Sequence, residues 1–188
     1  MSRSDRPTTV SPRATMRDRL RDCIRIDERL YGLVDAARDR ELFAAAAARF
    51  GLRTFSLFDG PLAGHLDHVA PHLVSIDLQS EYIGLWSDHL GRSAGILLIT
   101  DADAQTLWHH LRKIFHATDD ESNEYTFRYY DPRVLRTYLP TCTGDEAREF
   151  FGPVRRILVE SERPRTILSC QAGRAGVKID EMPLGDES

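Results

Sequence analysis

The sequence predicts one α/β domain: a layered, mixed and mostly parallel sheet flanked by helices, with a C-terminal hairpin. Three observations carry this. From Leu30 onward, short apolar runs of strand length alternate with segments whose apolar residues recur at helical spacing. Two later runs, RRILVE (155–160) and RTILSC (165–170), flank Glu162-Arg163-Pro164 as a hairpin. The 188 residues are 41% hydrophobic and 29% charged, enough apolar material for one sizeable core.

Residues 1–12 are polar, contain Pro7 and Pro12, and are expected to be disordered ahead of a domain over 13–170. Thr15 to about Glu28 reads as an amphipathic helix, with Met16, Leu20, Cys23 and Ile24 on one face and a Thr15–Asp18 capping box. LYGLVD (30–35) is a first strand, and Asp39 to Phe50 an alanine-rich helix stopped by Gly51. TFSLFDG (54–60) and HLVSID (72–77) are further strands. Ser80 to Leu90 is a helix with Tyr82, Leu85, Trp86 and Leu90 on one face. AGILLIT (94–100) is apolar throughout and is expected at the centre of the sheet, buried on both faces. Thr100 and Asp103 are expected to cap a helix bearing Leu107, Trp108, Leu111, Ile114 and Phe115. YTFRYYD (125–131) alternates as a strand. Asp131 is the N-cap and Pro132 the first residue of a helix to about Leu139. A short helix from Asp145 ends at Gly152-Pro153, and 171–188 reads as a weakly structured acidic tail.

Composition narrows the function. A net charge of −4 argues against nucleic-acid binding by bulk positive charge. The eight arginines of the first 29 residues keep a docking helix, and a weaker nucleic-acid reading, open. No apolar run approaches the roughly 18 residues of a membrane span, and the N-terminus has no signal-peptide core. Cys23, Cys142 and Cys170 are scattered and odd in number, which fits neither a disulfide framework nor a CxxC site. A cytoplasmic protein without membrane contact is expected. The 23 arginines against two lysines read mainly as coding bias.

Candidate chemistry is sparse. His65, His68 and His72 have helical metal-ligand spacing, but Pro71 interrupts it; His109, His110 and His116 lie along the tryptophan-bearing helix. Glycine-rich phosphate loops and the Gly-x-Ser-x-Gly elbow do not occur. Asp35, Asp59, Asp101 and Asp131 each follow an apolar run. At the carboxyl edge of a parallel sheet such carboxylates could hold Mg²⁺, so a small Mg²⁺-dependent phosphohydrolase stands as the alternative function. Aspartate there also caps helices and starts turns.

The segment FRYYDPRVLRTYL (127–139) concentrates aromatic rings and arginines, the residue types that anchor protein interfaces. Arg128 could pair with a strand-end aspartate. Arg133 and Arg136, three apart, would share a helix face. Together with Tyr130 and Tyr138 these arginines are the candidate partner-binding residues.

LYGLVDAARD (30–39), SLFDG (56–60), VAPHLVSID (69–77), GRSAGILL (91–98), FRYYDPRVLRTYLP (127–140) and FFGPVRRILVE (150–160) follow in order. Together they resemble the bacterial type VI secretion effector adaptors, also called effector chaperones or Tap/Tec proteins, first catalogued as a domain of unknown function. The resemblance covers about residues 28–162. It implies a non-enzymatic protein without cofactor or metal, which binds a cognate effector toxin and helps load it onto the VgrG spike without being secreted itself. The motif positions fall on Asp35, Asp59, Gly60, Pro71, Gly95, Arg128, Tyr130, Asp131, Pro132, Arg133, Gly152 and Pro153, most of them expected to shape the fold. The further C-terminal lobe of many relatives is expected to be missing here.

Overall fold

The computed structural model describes residues 14–58, 63–118 and 124–185. The helices are α1 (Met16–Cys23), α2 (Arg40–Ala48), α3 (Ala63–Leu66), α4 (Tyr82–Asp88), α5 (Ala104–Phe115), α6 (Pro132–Tyr138) and α7 (Gly144–Phe151). The strands are β1 (Arg29–Asp35), β2 (Thr54–Ser56), β3 (Pro71–Ile76), β4 (Gly95–Thr100), β5 (His116–Thr118), β6 (Glu124–Thr126), β7 (Val154–Glu160), β8 (Thr166–Ala172) and β9 (Val177–Pro183). Seven strands form one sheet in the order β2-β3-β1-β4-β7-β8-β9, and β5 and β6 form a separate ribbon.

The α/β class holds, but the expected mostly parallel sheet does not: every pairing is antiparallel. The reason lies in the connections. β1 and β2 run the same way, joined through α2, but β3 lies between them. β3 and β4 also run together, joined through α4, with β1 between them. Two strand–helix–strand crossovers are thus interleaved. Each has the sequence rhythm of a parallel unit, yet every neighbour in space is antiparallel.

β4 occupies the central position and is buried along its whole length. Its side chains alternate between two cores. Ile96 and Leu98 join Tyr31, Leu33 and Leu73 beneath α5, α6 and α7. Leu97 and Ile99 join Leu30, Val34 and Ile76 against α1, α2 and α4. The Thr15–Asp18 capping box starts α1 as expected. At α5 only Asp103 caps, accepting from the Thr106 N–H at 2.7 Å. Thr100 instead donates its hydroxyl to the Pro153 carbonyl, beside a register shift that bends the β4–β7 ladder.

Two other expectations change. The strand foreseen over 125–131 ends at Thr126, and the chain then turns, with the Asp131 N–H on the Arg128 carbonyl. That turn brings Tyr129 and Tyr130 into the same core instead of onto opposite faces. The stretch assigned to an acidic tail contains β9, paired with β8 from Val177 to Pro183. Its alternation of Val177, Ile179 and charged residues reads as loop because most of its side chains face solvent.

Tight packing at Gly32 fixes α4 on the sheet. A Cβ there would lie 2.6 Å from Trp86 Cζ3, inside van der Waals contact. Gly32→Ala is expected to cost about 1–3 kcal/mol in denaturant unfolding. Adding Trp86→Leu should make the pair strongly non-additive. Additive losses would show that the indole does not set the constraint.

Candidate partner-binding site around α6

The site is assembled from the end of β1 outward. The Asp35 carboxylate is buried and accepts the N–H groups of Ala37 (3.1 Å) and Arg38 (3.2 Å), closing the turn that leaves the strand. Its other oxygen receives Arg128 Nη2 at 3.1 Å, the ion pair that the sequence allowed. The Arg128 guanidinium also stands 5.6 Å from the centroid of the Tyr130 ring. Burial raises the Tyr130 hydroxyl above its ordinary pKa, with Arg128 pulling the other way.

Three residues on, Asp131 caps α6 and Pro132 takes the first helical position. Asp131 Oδ1 accepts both the backbone N–H and Nε of Arg133 at 3.0 Å, and Oδ2 accepts Nη2 at 2.6 Å. Burial works to raise the Asp131 pKa. The hydrogen bonds and charge of Arg133 outweigh it, so the carboxyl titrates below its usual value. Arg133 is thereby folded back over its own helix N-terminus.

Arg128, Asp131, Arg133, Val134, Thr137, Tyr138 and Thr141 line an open groove of about 770 Å³ along α6. Of the five residues expected to bind a partner, Arg128, Arg133 and Tyr138 are therefore brought together. Tyr138 serves both sides: its ring packs edge-on against Phe127 (4.8 Å) and Phe150 (5.2 Å), and burial pushes its hydroxyl up to about 12. Tyr130 is instead buried in the core with Phe115 and Tyr129. Arg136 points away from it. Its side chain is 17% exposed, with Nη1 on the Glu160 carbonyl at 2.8 Å and Nη2 3.8 Å from Glu162, which ties α6 to the end of β7. Val134, Thr137 and Thr141 were not singled out from the sequence. With Tyr138 they follow an i, i+3, i+4, i+7 stripe, a signal present there but masked by the arginines.

The remaining motif positions shape the surroundings. Pro71 lies opposite Asp35 at the start of β3, and its carbonyl accepts the Leu57 N–H. Gly95 is required by close approach: a Cβ there would meet the Leu33 carbonyl oxygen at 2.1 Å. Gly152 ends α7 with φ +50°, and the His110 ring fills the space a side chain would need. His110 Nε2 in turn donates to the Phe150 carbonyl at 2.9 Å. Asp59 and Gly60 lie outside the described residues.

The antiparallel topology also separates two of the strand-end aspartates. Asp35 and Asp101 follow antiparallel strands and sit at opposite ends of the sheet, Asp101 paired with Arg155 at 2.5 Å. Among the described residues, no group of three or more His, Cys, Asp and Glu side chains is placed to hold a metal. His72 Nε2 binds the Asp67 carbonyl and its ring stacks on Phe43, while His65 and His68 face solvent.

Two outcomes follow for stability. Asp35→Ala, which frees two backbone N–H groups and Arg128, should cost about 2–4 kcal/mol. Arg128→Ala should cost only about 1 kcal/mol, because that guanidinium is 51% exposed. Equal losses in urea unfolding would place the importance in the ion pair and not the turn. For Asp131 the folded pKa is depressed. Its contribution is therefore complete above the unfolded value of about 3.9 and is lost as pH falls through the lower folded value. Asp131→Asn keeps a capping acceptor, so it should be less stable than wild type at neutral pH and converge with it in acid. A gap that persists below the folded pKa would contradict the assignment.

A family model described as "Domain of unknown function (DUF4123)" matches residues 30–149, from β1 into α7 and across the whole Asp35–Arg128–α6 assembly. No match was found among curated proteins or among solved structures. No helix among the described residues is long and apolar enough to cross a membrane. The span of the match, about two thirds of the chain, places this protein in the DUF4123 family.

Proposed function

We propose that the chain is a non-enzymatic adaptor of the bacterial type VI secretion system, which holds a cognate effector toxin in the cytoplasm and helps load it onto the VgrG spike. The family assignment and the ordered motifs that resemble effector adaptors support this reading. The observation that carries it is the groove along α6. Val134 and Tyr138 supply apolar surface, and the half-exposed guanidiniums of Arg128 and Arg133 stand beside it. Such a surface suits a peptide segment that carries both carboxylates and apolar side chains. Asp35 and Asp131 hold the two arginines in place beforehand, so little side-chain freedom remains to be lost on binding.

The test is affinity purification of the tagged protein from its native host while the secretion apparatus is assembled. VgrG and one toxin polypeptide should co-purify, and their absence would overturn the adaptor reading. With the captured toxin in hand, Val134→Asp combined with Thr137→Glu should weaken binding by about tenfold or more. Its thermal melt should stay close to wild type, since Thr137 is exposed and Val134 half-buried. Unchanged affinity in that folded variant would move the interface off α6.

A further inference from the structure

Among the described residues β9 forms an outer edge of the main sheet, and the ladder fixes which of its backbone groups turn outward there. The Gly173 N–H donates to the Gly176 carbonyl, and the Leu184 N–H to the Arg165 carbonyl. Hydrogen-bonded pairs alternate along an antiparallel ladder, so Lys178, Asp180 and Met182 direct their N–H and C=O groups at β8. The bond from the Ser161 N–H to the Thr166 carbonyl gives the same parity independently. It turns the even-numbered residues of β8 toward β7 and leaves the odd-numbered ones for β9. The N–H and C=O groups of Val177, Ile179 and Glu181 therefore point away from the sheet. Ile179, at the middle of this row, is one of three large apolar residues exposed among those described, at 36%.

We infer that this edge joins two copies of the chain into a homodimer, β9 against β9, about a two-fold axis at Ile179. A continuous antiparallel sheet needs an axis perpendicular to it, which keeps opposed residues on the same face. Centred on Ile179, the register sets Ile179 against Ile179, Val177 against Glu181, and Lys178 against Asp180. All three outward-facing residues then exchange backbone hydrogen bonds with the second copy. The neighbouring centres at Lys178 and Asp180 fall on non-hydrogen-bonded pairs, where side chains come closest, and set each charge against its own copy. A centre at Glu181 repeats the like-charge clash and sets Ile179 opposite Pro183, which has no N–H.

Charge complementarity commits the edge to a second copy. Lys178 Nζ already lies 2.8 Å from Asp180 Oδ2 within the strand. Across the axis, two such pairs alternate in sign at all four positions. Charges and a terminal proline discourage indiscriminate pairing of an edge strand. This register satisfies the charges and leaves the proline outside the bonded segment. The dimer doubles the seven-stranded sheet to fourteen strands and sets both α6 grooves on the same face.

Sedimentation equilibrium across the micromolar range should give twice the 21.4 kDa chain mass, dissociating on dilution. Lys178→Asp and Asp180→Lys alone should each raise the dissociation constant about tenfold, and the double exchange should restore the dimer. Ile179→Lys, which opposes two ammonium groups at the axis, should leave a monomer with a near-wild-type melt. A single-chain mass at every concentration overturns the inference, as does a dimer indifferent to these changes or a failure of the double exchange to rescue. A monomeric wild type whose toxin capture is lost in Ile179→Lys also overturns it, by giving the edge to a strand of the toxin.

Discussion

Asp35 ties three distant parts of the chain at one point, and the architecture of the α6 face depends on it. Its backbone N–H donates to the Ala94 carbonyl, its carbonyl accepts from Arg38 and Asp39, and its carboxylate holds both the turn and Arg128. A buried carboxylate is costly unless its lone pairs are filled. Here two backbone N–H groups and a guanidinium fill them. Arg128 is thereby pinned over the end of β1, and its carbonyl receives the Asp131 N–H. That turn places Asp131 at the N-terminus of α6, so the groove inherits its position from one strand end.

The same device recurs elsewhere. Asp39 caps α2 through the Leu42 N–H and takes His89 Nδ1 at 2.6 Å. Glu160 accepts the N–H groups of Gly91 and Ser93 and the Ser93 hydroxyl. Arg136 reaches the Glu160 carbonyl, which couples α6 to β7 and, through that carboxylate, to the turn before β4. These carboxylates close loops at the sheet ends, where interleaved crossovers leave backbone donors to satisfy. Their partners are backbone N–H groups, the Ser93 hydroxyl, the His89 imidazole and the Arg128 guanidinium, the surroundings of a structural staple.

Much of this was legible in the sequence because it is local. The unbroken apolar run of β4 signalled burial on two faces, Thr15–Asp18 and Asp131-Pro132 signalled helix starts, and Arg128 was matched to a strand-end aspartate. Strand direction was not legible, because it is a property of which crossover lies inside which. The i, i+3 spacing of Arg133 and Arg136 implied a shared surface. Their partners, Asp131 on the same helix and Glu160 on β7, pull the two side chains apart. β9 was missed for a related reason: an edge strand buries too little of its side chains to show the alternation that reveals an inner strand.

The position of the groove relative to the sheet decides how binding and assembly can coexist. α6 packs its Leu135 side into the core shared with α5 and α7, so its groove opens on the broad face of the sheet. β9 forms a lateral edge among the described residues, and its outward-pointing backbone groups lie in the plane of the sheet. A peptide in the groove and a strand at the edge would approach along roughly perpendicular directions and share no residue. The ladder of β7 and β8 lies between β9 and the centre of the sheet, with Cys170 and Ile157 buried against the aromatic cluster beneath α6, and the β8–β9 turn packs on the chain at Cys142 and Gly144, just beyond Thr141 of the groove. The proposed groove and the proposed edge therefore draw on different residues of the domain.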